Sequence, residues 1–255
     1  MSIAHNPNVA RGSARASDAR DLRSNVWAVT CYFDPLGTRN RLPAYRVFRR
    51  HLQIPLVTVE LSCNERFDLG SNDAEILIQL RGQAMLWQKE RLLNIALQAL
   101  PDHCDTVAWL DCDIVFTRAD WYVAAQEQLE RSGLVQPFSR VHLLDSVDWV
   151  PGVEERNGHR VSDSVALRFA AGTLPEESFR VVGSSRRFRY APGFAWTAPR
   201  KLLKKWGLYD TEILGYYSDK LMFAAACGRF HEASQAVRYN SHPRGQLFRV
   251  GGELP

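Results

Sequence analysis

Short, strongly apolar runs alternate along the chain with segments whose apolar residues recur at helical spacing. Residues 26–33, 55–61 and 106–116 are rich in β-branched and aromatic side chains and predict buried strands. Residues 75–80 and 134–138 predict two further short strands. Because predicted helices separate most of these runs, we expect an α/β fold.

The clearest helix is predicted over residues 83–100, where leucines recur at helical spacing and Pro101 marks the end. Residues 43–53 predict a shorter helix with three arginines on its solvent-exposed face: Arg46, Arg49 and Arg50. Three more helices are predicted: residues 121–131 after a capping pattern of Thr117 and Asp120, residues 199–206 with Pro199 in the first turn, and residues 218–227 between Ser218 and Gly228.

Lys89 interrupts the apolar side of the helix at 83–100, because it falls between the directions of Leu93 and Ala96. Two interpretations are open. The lysine stem lies on the core while its ammonium reaches water, as is common for this side chain. Alternatively, the ammonium is held near a pocket as a cation for a phosphate.

The predicted strand at 106–116 contains two carboxylates, Asp111 and Asp113, with one residue between them. Alternate side chains of a strand share a face, so we expect both carboxylates on one face, about 6 to 7 Å apart along it, and Cys112 on the other. Like charges inside a sheet need a counter-charge, and a divalent cation is the simplest one. The alternative is a strand that ends at Leu110 and leaves both aspartates in water. We favour a metal or polyphosphate site, because pockets of open α/β sheets form at the carboxyl ends of strands.

The remaining segments define the predicted domain organisation. Residues 1–24 are small and polar and predict a disordered extension, and residues 25–255 are predicted to form a single domain. Within it, residues 139–189 lack a clear pattern and predict a long loop or insertion. Three arginines near its end indicate either an exposed basic loop, which we favour, or a lid over an anionic ligand: Arg186, Arg187 and Arg189.

Composition narrows the functional classes. Lys and Arg outnumber Asp and Glu by 32 to 28, and a net charge of +4 is not typical of a dedicated nucleic-acid binder. The five cysteines are scattered without a CxxC pair, which favours free thiols in a reducing cytoplasm over disulfides or a zinc site. No run has the pattern of a signal peptide or a membrane span. We therefore expect a cytoplasmic protein with no nucleic-acid partner and no membrane span.

Asp219 is the one acid in the nearly all-apolar helix predicted at 218–227. It lies at the end of the helix where a pocket would form. A favourable interaction with the helix dipole is also a sufficient explanation for an acid in the first turn.

Three blocks of the chain resemble GT-A glycosyltransferases in their order and spacing. They are WQKERLLNIAL followed by VAWLDCDIVF, then APGFAWTAPRKLLKKWGLYD, then the segment from ILG to Asp219. The likeness is to a bacterial group of this type and, more distantly, to the β-1,4-galactosyltransferases. It implies a GT-A, Rossmann-like mixed sheet with helices on both faces and a strand that carries the DxD pair.

The resemblance also implies a set of site residues. Asp111 and Asp113 match the pair that holds Mn²⁺ or Mg²⁺ on the diphosphate of a nucleotide sugar, which suits hard carboxylate oxygens. Thr30, Tyr32 and Asp34 match the loop that holds base and ribose, and Lys89 and Arg91 match basic positions expected near the phosphates. Gly193, Phe194 and Trp196 match the wall of the sugar and acceptor pocket, and Asp219 matches the general base.

The chain departs from the family pattern in two places. Similar sequences carry a glycine-rich run before the acid, where this chain has Tyr216 and Tyr217. They also often complete the metal site with a histidine near the C-terminus, for which His242 is the counterpart here. A surface-loop histidine is an equally good interpretation of His242.

The resemblance implies a metal-dependent glycosyltransferase that moves a sugar from a nucleotide donor, expected to be a UDP-sugar, to a glycan or other hydroxyl acceptor by inversion. One alternative is a non-catalytic or truncated relative that binds nucleotide sugar or glycan. Another is a metal-dependent nucleotidyltransferase, which shares a carboxylate-bound cation but consumes a nucleoside triphosphate. The sequence has no Walker-type loop, HExxH or GxSxG motif to support other chemistries.

Overall fold

The computed structural model describes residues 8–11, 24–64, 66–82, 88–144, 160–179, 190–210, 218–231 and 233. In chain order the strands are β1 (Asn8–Arg11), β2 (Val26–Phe33), β3 (Leu56–Ser62), β4 (Ile76–Arg81), β5 (Thr106–Leu110), β6 (Arg140–Leu143), β7 (Arg160–Ser164), β8 (Tyr190–Ala191) and β9 (Ala195–Pro199). The helices are α1 (Leu42–His51), α2 (Lys89–Gln98), α3 (Trp121–Leu129), α4 (Val165–Ala170), α5 (Arg200–Trp206) and α6 (Ser218–Ala226), with a short 3₁₀ helix at Glu176–Phe179.

The larger sheet is mixed and has the strand order β1-β4-β3-β2-β5-β9. Its four central strands are parallel, and β1 and β9 pair antiparallel at the two edges. From β2 the chain builds outward to β3 and β4 on one side and then places β5 on the other. This Rossmann-like order makes the gap between the carboxyl ends of β2 and β5 a topological switch point, where open α/β sheets bind ligands.

Helices cover both faces of this sheet, so its strands are apolar on both sides. In β2, Trp27 and Val29 face the layer formed by α2, α5 and α6, whereas Val26 and Ala28 face the layer formed by α1 and α3. All eight residues of β2 are buried. Two-sided burial explains the continuous apolar runs, which are typical of parallel strands. The α/β class is therefore confirmed.

The prediction of one strand over residues 106–116 is wrong, because β5 ends at Leu110. The chain turns at Cys112 and Asp113, so the two aspartates follow the strand rather than sharing one of its faces. The apolar residues Ile114 and Phe116 pack against the α3 layer instead, and Phe116 stacks on Trp121 with ring centroids 4.0 Å apart. The apolar residues after Leu110 are therefore explained by packing on α3 rather than by a longer strand.

The predicted helices exist, with local corrections. Arg49 of α1 is not on the solvent-exposed face of the helix, where the sequence predicts it. Its side chain is 13% exposed, and its Nη2 lies 2.7 Å from Glu75 Oε1. Asp120 is at the N-cap of α3, but the predicted side-chain cap does not form, because the Asp120 carboxylate pairs with Arg118 instead. Gln88 has non-helical backbone angles, so α2 begins at Lys89, and the predicted start at residues 83–87 lies outside the described residues.

Regular structure also occurs where none was predicted. Asn8–Arg11 form β1 inside the extension predicted to be disordered, because β4 offers an unpaired sheet edge. The segment predicted as a long loop contains β6 and β7, which form a small sheet with β8, but Arg186, Arg187 and Arg189 lie outside the described residues. Residues 134–138 form no strand; Val135 makes a single bridge to Thr197.

None of the helices in the described ranges has the length and hydropathy needed to cross a membrane.

Candidate functional site

One buried ammonium joins two carboxylates at the carboxyl end of β5. Asp111 follows β5 directly, and its Oδ1 lies 2.6 Å from Nζ of Lys89, the first residue of α2. The same Nζ lies 3.5 Å from Oδ2 of Asp219, in the first turn of α6. Residues far apart in the sequence therefore meet beside the switch point.

Lys89 does not extend into bulk solvent, because the residue is only 8% exposed. Burial lowers the pKa of Lys89, but Asp111 and Asp219 outweigh that effect and raise it well above its ordinary value. The ammonium is also at the N-terminus of a helix, where the dipole disfavours a cation. The two carboxylates therefore keep Lys89 protonated, although both its burial and the helix dipole disfavour the charge.

The pKa of Asp219 is raised towards neutral pH. Burial raises its pKa to about 6, the charge of Asp111 adds to the rise, and Lys89 opposes both. The side chain is 22% exposed, so a ligand can reach it. A carboxylate with such a pKa can accept a proton near pH 7 and release it again.

The segment before β9 lies against the carboxylate of Asp219 and is bonded to the backbone of Asp111. A Cβ added to the buried Gly193 would lie 2.5 Å from Asp219 Oδ2, so a side chain there would collide with the carboxylate. The next residue, Phe194, accepts a 2.8 Å hydrogen bond from the backbone N–H of Asp111 and has a φ of 73°, which is strained for a residue with a side chain. This turn is therefore shaped around the two aspartates.

Gln136 fixes that turn and was not predicted from the sequence. It is buried, and its Nε2 donates to the carbonyls of Ala191 and Gly193 at 2.9 and 3.1 Å. Its Oε1 accepts from the N–H of Ala166 at 3.1 Å. A glutamine in an otherwise apolar stretch is the signal that could have revealed it.

Gly193→Ala should lower the free energy of unfolding by about 1 to 3 kcal/mol, the usual range for overpacking a tight site. The added methyl group must push the Asp219 carboxylate away from its present position. Gly133→Ala is the matched control, because an added Cβ meets nothing within 4 Å there, and its effect should stay within about 0.5 kcal/mol. Urea denaturation of both variants measures the difference, and equal effects would contradict the contact.

At the end of β2, the three residues predicted to hold base and ribose each make a hydrogen bond within the protein. Thr30 is buried and donates to the carbonyl of Leu110 at 2.7 Å, which ties β2 to the end of β5. Tyr32 is buried and donates its hydroxyl to Asp68 Oδ2 at 3.2 Å. Asp34 accepts from the N–H of Arg39 at 2.6 Å and so closes the following turn.

A second polar network stiffens the loops beside this strand end. Glu60 is 2% exposed, accepts from the N–H of Asp68 at 2.6 Å and from Gln79 at 2.9 Å, and has a pKa raised by burial. Asp68 in turn pairs with Arg39, with Nε 2.8 Å from Oδ1. The acid inside the apolar strand VTVELS is the sequence signal that could have predicted this network.

Asp111 and Asp113 have the donor chemistry of a divalent-cation site. The side chain of Asp111 is 30% exposed. Asp113 is exposed, yet partial desolvation and the charge of Asp111 raise its pKa, a repulsion that a cation would relieve. Within the described ranges no cluster of three or more His, Cys, Asp and Glu side chains forms, and His242 lies outside them. The pair fits Mg²⁺ or Mn²⁺ with water and phosphate as further ligands.

Two other predicted site residues lie apart from this cluster. Arg91 is 56% exposed, and its Nη1 pairs with Asp210 Oδ2 at 3.1 Å. Trp196 is 2% exposed and lies in the core, where its ring packs on Phe223. The structure therefore brings together Lys89, Asp111, Asp219, Gly193 and Phe194, but not Arg91 or Trp196.

A cavity of about 420 Å³ adjoins the cluster. It lies between α2, β5, α6 and the segment after α5, and its lining includes Lys89 and Asp219. Of the two carboxylates that contact Lys89, only Asp219 lines it. The ion pairs of Lys89 thus link the strand end that carries Asp111 to the cavity that Asp219 lines.

No protein-family model matches this chain, and no curated protein matches it in sequence.

Proposed function

We propose that the protein is a metal-dependent glycosyltransferase of the GT-A type that transfers a sugar from a nucleotide-sugar donor, expected to be a UDP-sugar, to a hydroxyl acceptor. The observation that carries the proposal is the bridge from Asp111 through Lys89 to Asp219. It supports two adjacent functions, a carboxylate for a diphosphate-bound cation and a second carboxylate beside a cavity for an acceptor. The three sequence blocks that resemble this family contain all three residues.

On the donor side, Asp111 and Asp113 would hold Mn²⁺ or Mg²⁺. When bound, the cation would neutralise charge on the departing nucleoside diphosphate. Because Lys89 contacts Oδ1 of Asp111, the other oxygen of that carboxylate stays available as a ligand. The ammonium itself adds a fixed positive charge beside the site, which stabilises a developing phosphate charge in a poorly solvated environment.

On the acceptor side, Asp219 would act as the general base. The acceptor oxygen attacks the anomeric carbon, the bond from that carbon to the diphosphate breaks, and the hydroxyl proton moves to the Asp219 carboxylate. Lys89 keeps that carboxylate ionised at neutral pH by opposing the rise in its pKa. Gly193 leaves the space that the carboxylate occupies. A single displacement of this kind inverts the anomeric configuration.

Calorimetry with UDP tests the donor side. Binding should require Mn²⁺ or Mg²⁺, and Asp111→Ala should weaken it at least tenfold, because one of the two carboxylate ligands is lost. Asp120→Ala is the matched control, since Asp120 is an exposed aspartate paired with Arg118 and should leave binding unchanged. Metal-independent binding, or equal binding by both variants, would contradict the proposal.

A further inference from the structure

The cavity beside Asp219 is polar at one end and apolar over most of its length. Along α2 the lining residues run from Lys89 and Glu90 to Leu93 one turn later. Along α6 they run from Ser218 and Asp219 to Leu221, Met222 and Ala225, and Phe230 follows after the helix. On α6 the polar groups therefore lie in the first turn and the apolar groups beyond it, and on α2 Leu93 and Asn94 follow the polar first turn.

The polar groups further along the cavity are already bonded within the protein. Asn94 donates from Nδ2 to the carbonyl of Leu208 at 2.7 Å and accepts from the N–H of Leu208 at 2.8 Å. Asp210 pairs with Arg91. A ligand in this part of the cavity thus contacts mainly hydrocarbon and aromatic surface, because the polar side chains Asn94 and Asp210 already have partners within the protein.

Two tryptophans extend the apolar surface. Trp109 lies on β5 two residues before Asp111 and is buried in the wall of the cavity. Trp206 also lines the cavity but is 49% exposed, with Lys205 Nζ 4.7 Å from its ring centroid. Trp206 therefore stands where the cavity meets solvent, and an apolar ligand can extend along it.

We infer that this cavity takes an alcohol with an apolar body, such as an alkyl or aryl glycoside, with its hydroxyl at Asp219 and its hydrocarbon part along α6. The inference rests on the proposed function for the role of the hydroxyl, and on the cavity alone for the apolar body. A free sugar is a poor occupant, because its hydroxyls would lose water along an apolar wall without gaining hydrogen bonds. A volume of about 420 Å³ suits a small molecule.

Calorimetry with octyl β-D-glucoside below its micelle concentration, compared with glucose, tests the inference. The octyl glucoside should bind and glucose should bind at least tenfold more weakly. Ala225→Leu should weaken octyl glucoside binding at least tenfold, because Ala225 lines the cavity. Ala226→Leu is the matched control on the same helix: Ala226 is exposed and does not line the cavity, so binding should change less than twofold.

Equal binding of glucose and octyl glucoside, or unchanged binding by Ala225→Leu, would overturn the inference. Met222→Gln gives a second test, because it places an amide on the apolar wall with little change in volume and should also weaken octyl glucoside binding. Thermal unfolding shows whether each variant is folded. UDP binding is measured separately. Its absence would refute the proposed transferase, whereas the octyl glucoside measurements alone decide whether the cavity binds an apolar ligand.

Discussion

Asp219→Asn should lower sugar transfer by roughly 10²- to 10⁴-fold, the usual contribution of a general base, while UDP binding stays intact. The amide keeps the size of the side chain but cannot accept the hydroxyl proton. In the wild type, transfer should fall as the pH drops below about 6, because the raised pKa of Asp219 then leaves the base protonated. The variant should lose this dependence. Transfer is measured as release of the nucleoside diphosphate from a donor with and without acceptor.

Asp210→Asn is the control for that experiment. Asp210 also lines the cavity, but its partner is the exposed Arg91 rather than Lys89. Its transfer rate should remain within a few-fold of the wild type. Equal losses in the two variants would show that cavity charge in general, and not a base at position 219, controls the rate.

Lys89→Met should lower the free energy of unfolding at pH 7 by about 2 to 3 kcal/mol, somewhat less than the loss of a partner in a fully buried ion pair. The methionine fills the space of the lysine stem but leaves Asp111 and Asp219 without their shared cation. These carboxylates are 30% and 22% exposed, and water therefore compensates part of the loss. Urea denaturation measures the change.

The penalty should shrink as the pH falls, because the variant lacks the charge that lowers the pKa of Asp219 and this carboxyl then takes up its proton at a higher pH than in the wild type. The folded-state pKa of Asp219 is raised above its ordinary value, so the folded protein binds this proton more tightly than the unfolded chain. Stability from this group is present at low pH and is lost as the pH rises through about 6. Once Asp219 is protonated, it no longer needs the ammonium.

Arg91→Met is the matched control on the same helix. Its guanidinium is 56% exposed, and an exposed ion pair contributes at most about 1 kcal/mol. A loss as large as that of Lys89→Met would contradict the assignment of Lys89 as the buried partner of two carboxylates.

The central strands could be predicted because each is buried on both faces. The runs that became β2 and β3 are apolar for this reason, whereas β4 was predicted from β-forming residues at alternate positions. The boundaries of all three strands shift by at most one residue from the prediction. β5 was harder, because Ile114 and Phe116 continue the apolar run although they pack on α3. Hydrophobicity alone does not distinguish a strand from a loop that covers a helix.

The site could be predicted only in part. Asp111, Lys89 and Asp219 were all selected from the sequence, but the ion pairs between them depend on the tertiary fold. Gln136 and Glu60 were missed because their roles arise from backbone groups that no spacing rule identifies. The same is true of Arg49, whose burial depends on Glu75 in a segment more than twenty residues away.

The antiparallel strand β9 also determines when the site can form during folding. Leu110 pairs with Ala195, about 85 residues further along the chain, so β9 joins the sheet through a long connection. Closing a loop of that length costs conformational entropy before the pairing of β5 with β9 can offset it. The connections that join β2, β3 and β4 are shorter. We therefore expect the parallel strands to assemble first. A nascent chain that has completed them carries Asp111 and Lys89 in place, but it lacks the Phe194 carbonyl and the glycine that complete the site.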